Sequence, residues 1–305
     1  LLVLYTYQHC TENLSFCEFD ILYIISIIKE KLKMNYTTKQ HALLTHGYIQ
    51  SPYPIRLEKD VDFMLKLWEA FCEQNLEHKQ QYKFTRPGGY EYKGPTEKDY
   101  KENFHISLNY DHSLNHTFLS KTDIDFFNHA KKLINNNTHV VEEIIDTMDI
   151  HGTMREMIIR SKDIWTLRLL HYPKRPYSDE KFLAVAHPDK AGITIHLTET
   201  MEGLEILWNA SWKPISKMAH HIIAYPGLTT QYHTRGLIKG LTHRVRMMPE
   251  IEKESRYSIV LFIDFGDIFY NKTLGNTAEI FPNGENYLLE FEEFSKYFLD
   301  QPNIL

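Results

Sequence analysis

After Ile150 the chain breaks into apolar runs too short for ordinary helices: "DIWTLRLLHY", "FLAVAH", "GITIHLT", "GLEILW", "HHIIAY", "LTHRVRM" and "RYSIVLFIDF". Each is rich in Ile, Val, Leu and aromatics and is bounded by turn residues, the pattern of strands. Regularly spaced short strands argue for an antiparallel sandwich or barrel. Upstream the period changes. Val61, Met64, Leu65, Trp68 and Phe71 recur at helical spacing between Leu57 and about Gln80, and Phe127, Ala130, Leu133, Val141, Ile144 and Ile145 do so between Asp123 and Met148. The triple Asn at 135–137 either splits the second helix or faces solvent. "RPGGYEYKGP" reads as a loop, because Pro and paired Gly punctuate it, with Tyr90 and Tyr92 available to cover a cavity mouth. A closing helix is expected at "ENYLLEFEEFSKYFLD". The expected fold class is mainly β with flanking helices.

A chain of 305 residues that is 43% hydrophobic holds enough apolar material for one large core, and no repeat or low-complexity linker divides it. One domain is expected over 34–305. With 34 basic against 40 acidic residues there is no broad cationic field, so nucleic acid is not an expected partner. Cys10, Cys17 and Cys72 are too few for a disulfide framework or a zinc cage and read as free thiols in a reducing, cytoplasmic compartment. The apolar run in "FDILYIISIIKEKLK" is shorter than the roughly 20 residues that span a bilayer, so no membrane partner is expected. Glu18 and Asp20 precede that run where a signal peptide carries positive charge. Met34 is a candidate start, with 1–33 an upstream extension or a partner-contacting arm.

"VAHPDKAG" places His187 and Asp189 two positions apart at the end of a strand pattern, where alternate side chains share a face. Alone, the triplet is better explained by a satisfied strand-end pair. A second histidine on another strand, His243 in "LTHRVRM", changes the weight. Two imidazoles and one carboxylate form the facial set that leaves open positions on a non-haem Fe(II). Arg256 and Ser258, again two apart on a strand, share a face and suit a carboxylate, the guanidinium giving paired charge-assisted bonds and the hydroxyl a further donor. Without the three ligands, Arg256 would be an ordinary strand arginine paired with a neighbouring acid. His220, His221 and His233 do not make a second cluster, since adjacent strand residues point to opposite faces. His196 faces either the cavity or the packing, and Trp208 and Trp212 read as core and turn residues.

The ordered pieces "GYEYKGPTEKDYKENFHI", "LRLLHYP", "AHPDKAGITIHL", "GLEILWNASWKPI", "GLIKGLTHRV" and "RYSIVLF" resemble the Fe(II)- and 2-oxoglutarate-dependent dioxygenases of the isopenicillin N synthase-like family. The resemblance runs from about Gly47 to Phe265 and is strongest from Asp163 onward. It implies a double-stranded β-helix (jelly-roll, cupin-like) core, set at about 160–266, after the helical part that the pattern gives at about 55–150 and before the C-terminal helix that it gives at about 286–300. It implies that His187, Asp189 and His243 bind iron, that Arg256 and Ser258 hold the distal carboxylate of 2-oxoglutarate, and that Tyr172 reaches the cosubstrate. The sequence departs from the family where an asparagine is common, at Leu170, and where an aspartate follows the glycine, at Leu228. The implied activity couples oxidative decarboxylation of 2-oxoglutarate, with O2, to hydroxylation, desaturation or cyclisation of a small organic substrate by a monomeric oxidoreductase. The alternatives are a 2-oxoglutarate-independent Fe(II) oxidase on the same scaffold, or a non-catalytic metal-containing binding protein.

Overall fold

The structure, a computed structural model, describes residues 42–265 apart from 44, 86–87, 98, 111–119, 149–153, 180, 235 and 237. In chain order these form β1 (Ile49–Pro52), α1 (Ile55–Cys72), α2 (Leu76–Gln80), β2 (Gly89–Lys93), β3 (Lys101–Ile106), α3 (Lys121–Asn136), α4 (Thr138–Met148), α5 (Met154–Arg160), β4 (Thr166–Tyr172), β5 (Phe182–His187), β6 (Ile193–Glu199), β7 (Leu204–Trp208), β8 (Ser211–Pro214), β9 (His221–Pro226), α6 (Leu228–His233), β10 (His243–Arg246) and β11 (Arg256–Ile263). The extension 1–33, Cys10, Cys17 and the closing helix at 286–300 lie outside the described residues. These residues all belong to the unit that begins at Ala42.

The strands build two antiparallel sheets of a jelly-roll core, a seven-stranded one in the order β1-β9-β6-β11-β4-β3-β2 and a four-stranded one in the order β5-β10-β7-β8. Strand alternation sorts the residues of the large sheet. Leu167 and Leu169 of β4, Ile259, Leu261 and Ile263 of β11, and Ile193 and Ile195 of β6 turn to one face and join a core with Trp68, Phe71, Phe126 and Phe127 of α1 and α3. The alternate residues, Arg168, Leu170 and Tyr172 on β4 and Arg256, Ser258, Val260 and Phe262 on β11, line a cleft on the other face. The helices therefore back the large sheet, and the small sheet closes over its chemical face.

Three expectations need correcting. The glycine-rich stretch expected as a loop contains β2, which pairs with β3 from Gly89↔His105 to Lys93↔Lys101. Gly89 enters that strand at φ +124°, and a Cβ there would meet the Tyr82 carbonyl oxygen at 2.6 Å, so the glycine serves a close backbone approach inside a sheet. Tyr90 covers no cavity mouth: it is 2% exposed and packs in the helix-side core. The first helical segment is two helices, because α1 ends at Cys72 and Asn75 caps α2 by accepting from the His78 N–H at 2.8 Å. The triple Asn does split the next segment. Asn137 is fully buried, donates to the Leu133 carbonyl at 2.9 Å and accepts from the Tyr53 hydroxyl at 2.8 Å. No helix of the described residues is long and apolar enough to cross a membrane.

One polar network lies on the helix side of the large sheet. Glu102 of β3 accepts from Lys79 at 2.7 Å, from His171 Nδ1 at 2.6 Å and from the Tyr90 hydroxyl. His171 in turn stacks on Tyr257, the ring centroids 4.4 Å apart and 5° from parallel. Burial pushes the Glu102 carboxyl up, but the bonds from His171, Lys79 and Tyr90 outweigh it and hold it below the usual carboxylate range. Cys72 lies against this network, and burial pushes its thiol up, so it stays protonated. Replacing Lys79 with Met leaves Glu102 buried without its cation and should cost about 3–5 kcal/mol by urea unfolding. A loss under about 1 kcal/mol would contradict it. Because the Glu102 pKa is depressed on folding, its stabilisation is present above the ordinary glutamate value of ~4.3 and is lost as pH falls through the folded value.

Candidate active site

The small sheet brings the two histidines together. His243 opens β10 and pairs directly with His187 at the end of β5, and irregular register follows immediately, from His243↔His187 to Val245↔Ala184. Such irregularities re-aim side chains beside functional sites. The imidazole centroids lie 4.6 Å apart. Asp189, two residues past β5, faces both: its Oδ1 is 3.8 Å from His187 Nε2 and its Oδ2 is 3.8 Å from His243 Nε2. One ligand atom from each of the three lies within 4.8 Å of the others.

Surrounding groups fix how these side chains present themselves. His187 Nδ1 lies 2.7 Å from the Val185 carbonyl oxygen and His243 Nδ1 lies 3.2 Å from that of Leu241. A carbonyl only accepts, so each Nδ1 carries the proton and each Nε2 offers a lone pair. Burial and the neighbouring His243 hold the His187 pKa below the ordinary histidine value, which keeps the ring neutral. Burial pushes the Asp189 carboxyl up, but His243, His187 and the Thr194 hydroxyl outweigh it, so it is held ionised below the usual range. The Thr194 hydroxyl donates to Asp189 Oδ2 at 2.6 Å. The backbone behind Asp189 is pinned where its carbonyl accepts from the Leu228 N–H at 2.8 Å. Gly227 permits this contact, since a Cβ there would meet the Ala191 carbonyl oxygen at 2.0 Å. Leu228, where the family has an aspartate, is a buried first residue of α6.

All three residues line a cleft of about 510 Å³, together with Tyr172, Arg256 and Ser258. Tyr172 is opposite Arg256 in the β4–β11 ladder and Leu170 opposite Ser258, which explains why pieces far apart in sequence face one space. Arg256 is 1% exposed and its Cζ lies 5.7 Å from the centre of the Tyr172 ring. His196 takes the cavity side, and burial drives its pKa down to about 4, so it is neutral at ordinary pH. Among the described residues the other histidines do not line this cleft. His220 is in a turn at φ 57°, not on a strand, and its Nδ1 meets Glu58 at 2.7 Å; His221 Nδ1 meets the Ala219 carbonyl. Trp212 lies on β8, not in a turn, and stacks on the Arg244 guanidinium at 4.0 Å.

Sequence reading missed several residues of the cleft. Thr194, Tyr225 and Arg168 carry no motif of their own, and only their strand parity relative to His196 and Ser258 signals which face they take. Tyr225 places its hydroxyl 3.5 Å from His243 Nε2, and burial raises its pKa, keeping it protonated.

Residues 164–265 match the family described as the 2OG-Fe(II) oxygenase superfamily. That match supports an Fe(II)- and 2-oxoglutarate-dependent oxygenase, an oxidoreductase. Among curated proteins none matches the chain by sequence. Solved structures share the fold. A full-length Neurospora crassa protein in complex with alpha-KG and 5-formyluracil superposes with a TM-score of 0.63 at 20% identity, covering 74% of this chain and 76% of that one. JOX2 in complex with 2OG, Fe and JA gives 0.63 at 18% identity over 85% and 79% of the two chains. The Arabidopsis thaliana dioxygenase for auxin oxidation 1, bound to 2-oxoglutarate, gives 0.60 at 17% over 73% and 85%.

The donor set suits a divalent metal: two neutral nitrogens and one anionic oxygen, each oriented by a hydrogen bond from behind. Thr194→Val removes the hydroxyl that orients Asp189 and should weaken Mn(II) binding about 10–100-fold, measured by the electron paramagnetic resonance of free Mn(II). Unchanged affinity would show that Asp189 is held otherwise.

Proposed function

We propose that His187, Asp189 and His243 hold Fe(II), that Arg256 and Ser258 hold the distal carboxylate of 2-oxoglutarate with Tyr172 beside it, and that the chain oxidises a small organic substrate. The observation that supports this best is the placement of the three ligand atoms within 4.8 Å of one another in the same cleft as the Arg256 guanidinium. When bound, Fe(II) with 2-oxoglutarate and O2 supplies the oxidising chemistry, releasing succinate and carbon dioxide. Everything else is the work of the chain. The two Nε2 lone pairs and the Asp189 carboxylate present one anion and two neutral donors, which leaves a charge that draws in an anionic keto acid. Leu204, Val245, Val260 and Phe262 give the cleft apolar walls that keep water from the reacting carbon.

The substrate class follows from the same walls. Arg168 lines the cleft, donates through Nε to Asn103 at 3.1 Å and has no carboxylate at ion-pair distance among the described residues. A substrate carrying an acceptor or carboxylate group would satisfy it. The solved relatives are bound to 5-formyluracil and JA, molecules of that size, and auxin oxidation gives a third its name. Within the superfamily the motif order favours the isopenicillin N synthase-like branch, and our reading is of a single-domain, cytoplasmic monomer without nucleic-acid or membrane partners.

A screen of small carboxylic acids and heterocycles for stimulated succinate release, followed by mass spectrometry for a gain of oxygen or loss of two hydrogens, tests the function. Oxygen uptake without succinate would favour the 2-oxoglutarate-independent oxidase, and ligand affinity without turnover a binding protein. Under anaerobic conditions Fe(II) plus 2-oxoglutarate should give a visible charge-transfer band, absent in His187→Ala and weakened in Arg256→Ala. A wild type without the band would contradict the proposal.

A further inference from the structure

We propose that Glu199 is the internal counter-ion of Arg256 and sets how tightly the clamp holds a distal carboxylate; this rests on the reading of the cleft given above. The placement arises from a break in strand parity. His196 and Glu199 are three apart on β6 and would face opposite sides of a regular strand. Against β11, however, Val260 pairs with His196 and Ile259 with Thr198, so Leu197 is an extra residue and Ser258 comes to pair with Glu199. The irregularity turns Glu199 to the face that carries Arg256 and Ser258.

There the carboxylate meets the guanidinium. Arg256 Nε donates to the Met201 carbonyl at 2.9 Å, Nη1 to the Ser258 hydroxyl oxygen at 3.4 Å, and Nη2 to Glu199 Oε2. A guanidinium has five N–H donors, so these three contacts leave two, enough for one bidentate carboxylate. Both side chains are buried, Arg256 at 1% and Glu199 at 5% exposure, so the pair is screened little by water. Arg256, Ser258 and His196 line the cleft and Glu199 does not, so it grips the arginine from behind. His196 Nε2 lies 3.7 Å from the same oxygen and has no hydrogen-bond partner, so Arg256 carries the close charge opposite Glu199. Lys217 donates to the Leu197 carbonyl at 3.0 Å and feels the Glu199 charge without coming to ion-pair distance of it. An incoming dicarboxylate thus meets an arginine whose charge is already matched, and shares it with a like charge. Glu199 is a positioning and affinity-setting residue, not a catalytic one.

The test is calorimetric binding of 2-oxoglutarate to the anaerobic, Mn(II)-loaded chain, with 2-oxobutyrate, which has the keto acid end but no distal carboxylate, as comparison. Glu199→Gln keeps an acceptor for Nη2 and removes the negative charge. It should lower the Kd for 2-oxoglutarate about tenfold, the scale of one partly screened charge contact, and leave that for 2-oxobutyrate within about twofold. Glu199→Met, of similar volume, should shift affinity in the same direction and serves if the amide does not fold. Unchanged or weaker 2-oxoglutarate binding, or an equal change for both acids, overturns the inference while the functional reading stands. No 2-oxoglutarate binding by wild type overturns that reading and this inference with it.

Discussion

The direct cross-strand pairing of His187 with His243 is the constraint on which the site depends. It sets two imidazoles 4.6 Å apart at the edge of the small sheet, and Asp189 completes the set because Thr194 and the Leu228 N–H fix it from the large sheet and from α6. Two stretches distant in sequence, 187–189 and the start of β10 at His243, therefore meet through backbone register. Once β5 and β10 are in register, the side-chain identities at their ends decide the chemistry.

The large sheet supplies the second half of the site through its alternation. Its odd-numbered residues on β4 and β11 anchor it to α1 and α3, while the even-numbered ones carry Arg168, Tyr172, Arg256 and Ser258 to the cleft. Anchoring on one face makes the other face precise, since a one-residue slip would bury the arginines among Trp68 and Phe71 and expose Ile259 and Leu261. The network of Lys79, Glu102, His171 and Tyr257 lies behind the Tyr172–Arg256 pair and opposes such a slip at that end. The extra residue at Leu197 breaks alternation once, and it does so next to the clamp.

Much of this was legible in the residues. Seven strands were visible as short apolar runs, and His187, Asp189, His243, Arg256 and Ser258 stood out because metal and carboxylate chemistry demand particular side chains at strand spacing. β2 was not, because the glycines that let Gly89 approach the Tyr82 carbonyl look like turn residues when the partner strand is unseen. Short edge elements such as β1 and β8 bury too little to leave a pattern. Glu199 was hidden for a different reason: on a regular strand its parity excludes it, and the irregularity that admits it exists only in the pairing of β6 with β11. Thr194 acts through Asp189, and a hydroxyl carries no signature until its partner is placed.

Among the described residues two groups have the side chains to hold a metal, His187–Asp189–His243 and Cys72–Glu102–His171, and the second already has Lys79 on its carboxylate. Anomalous diffraction at the iron edge, from crystals grown anaerobically with Fe(II), separates them. One strong peak is expected, bounded by His187 Nε2, His243 Nε2 and the Asp189 carboxylate. A peak at Cys72, Glu102 and His171 instead, or none between the paired histidines, would contradict it.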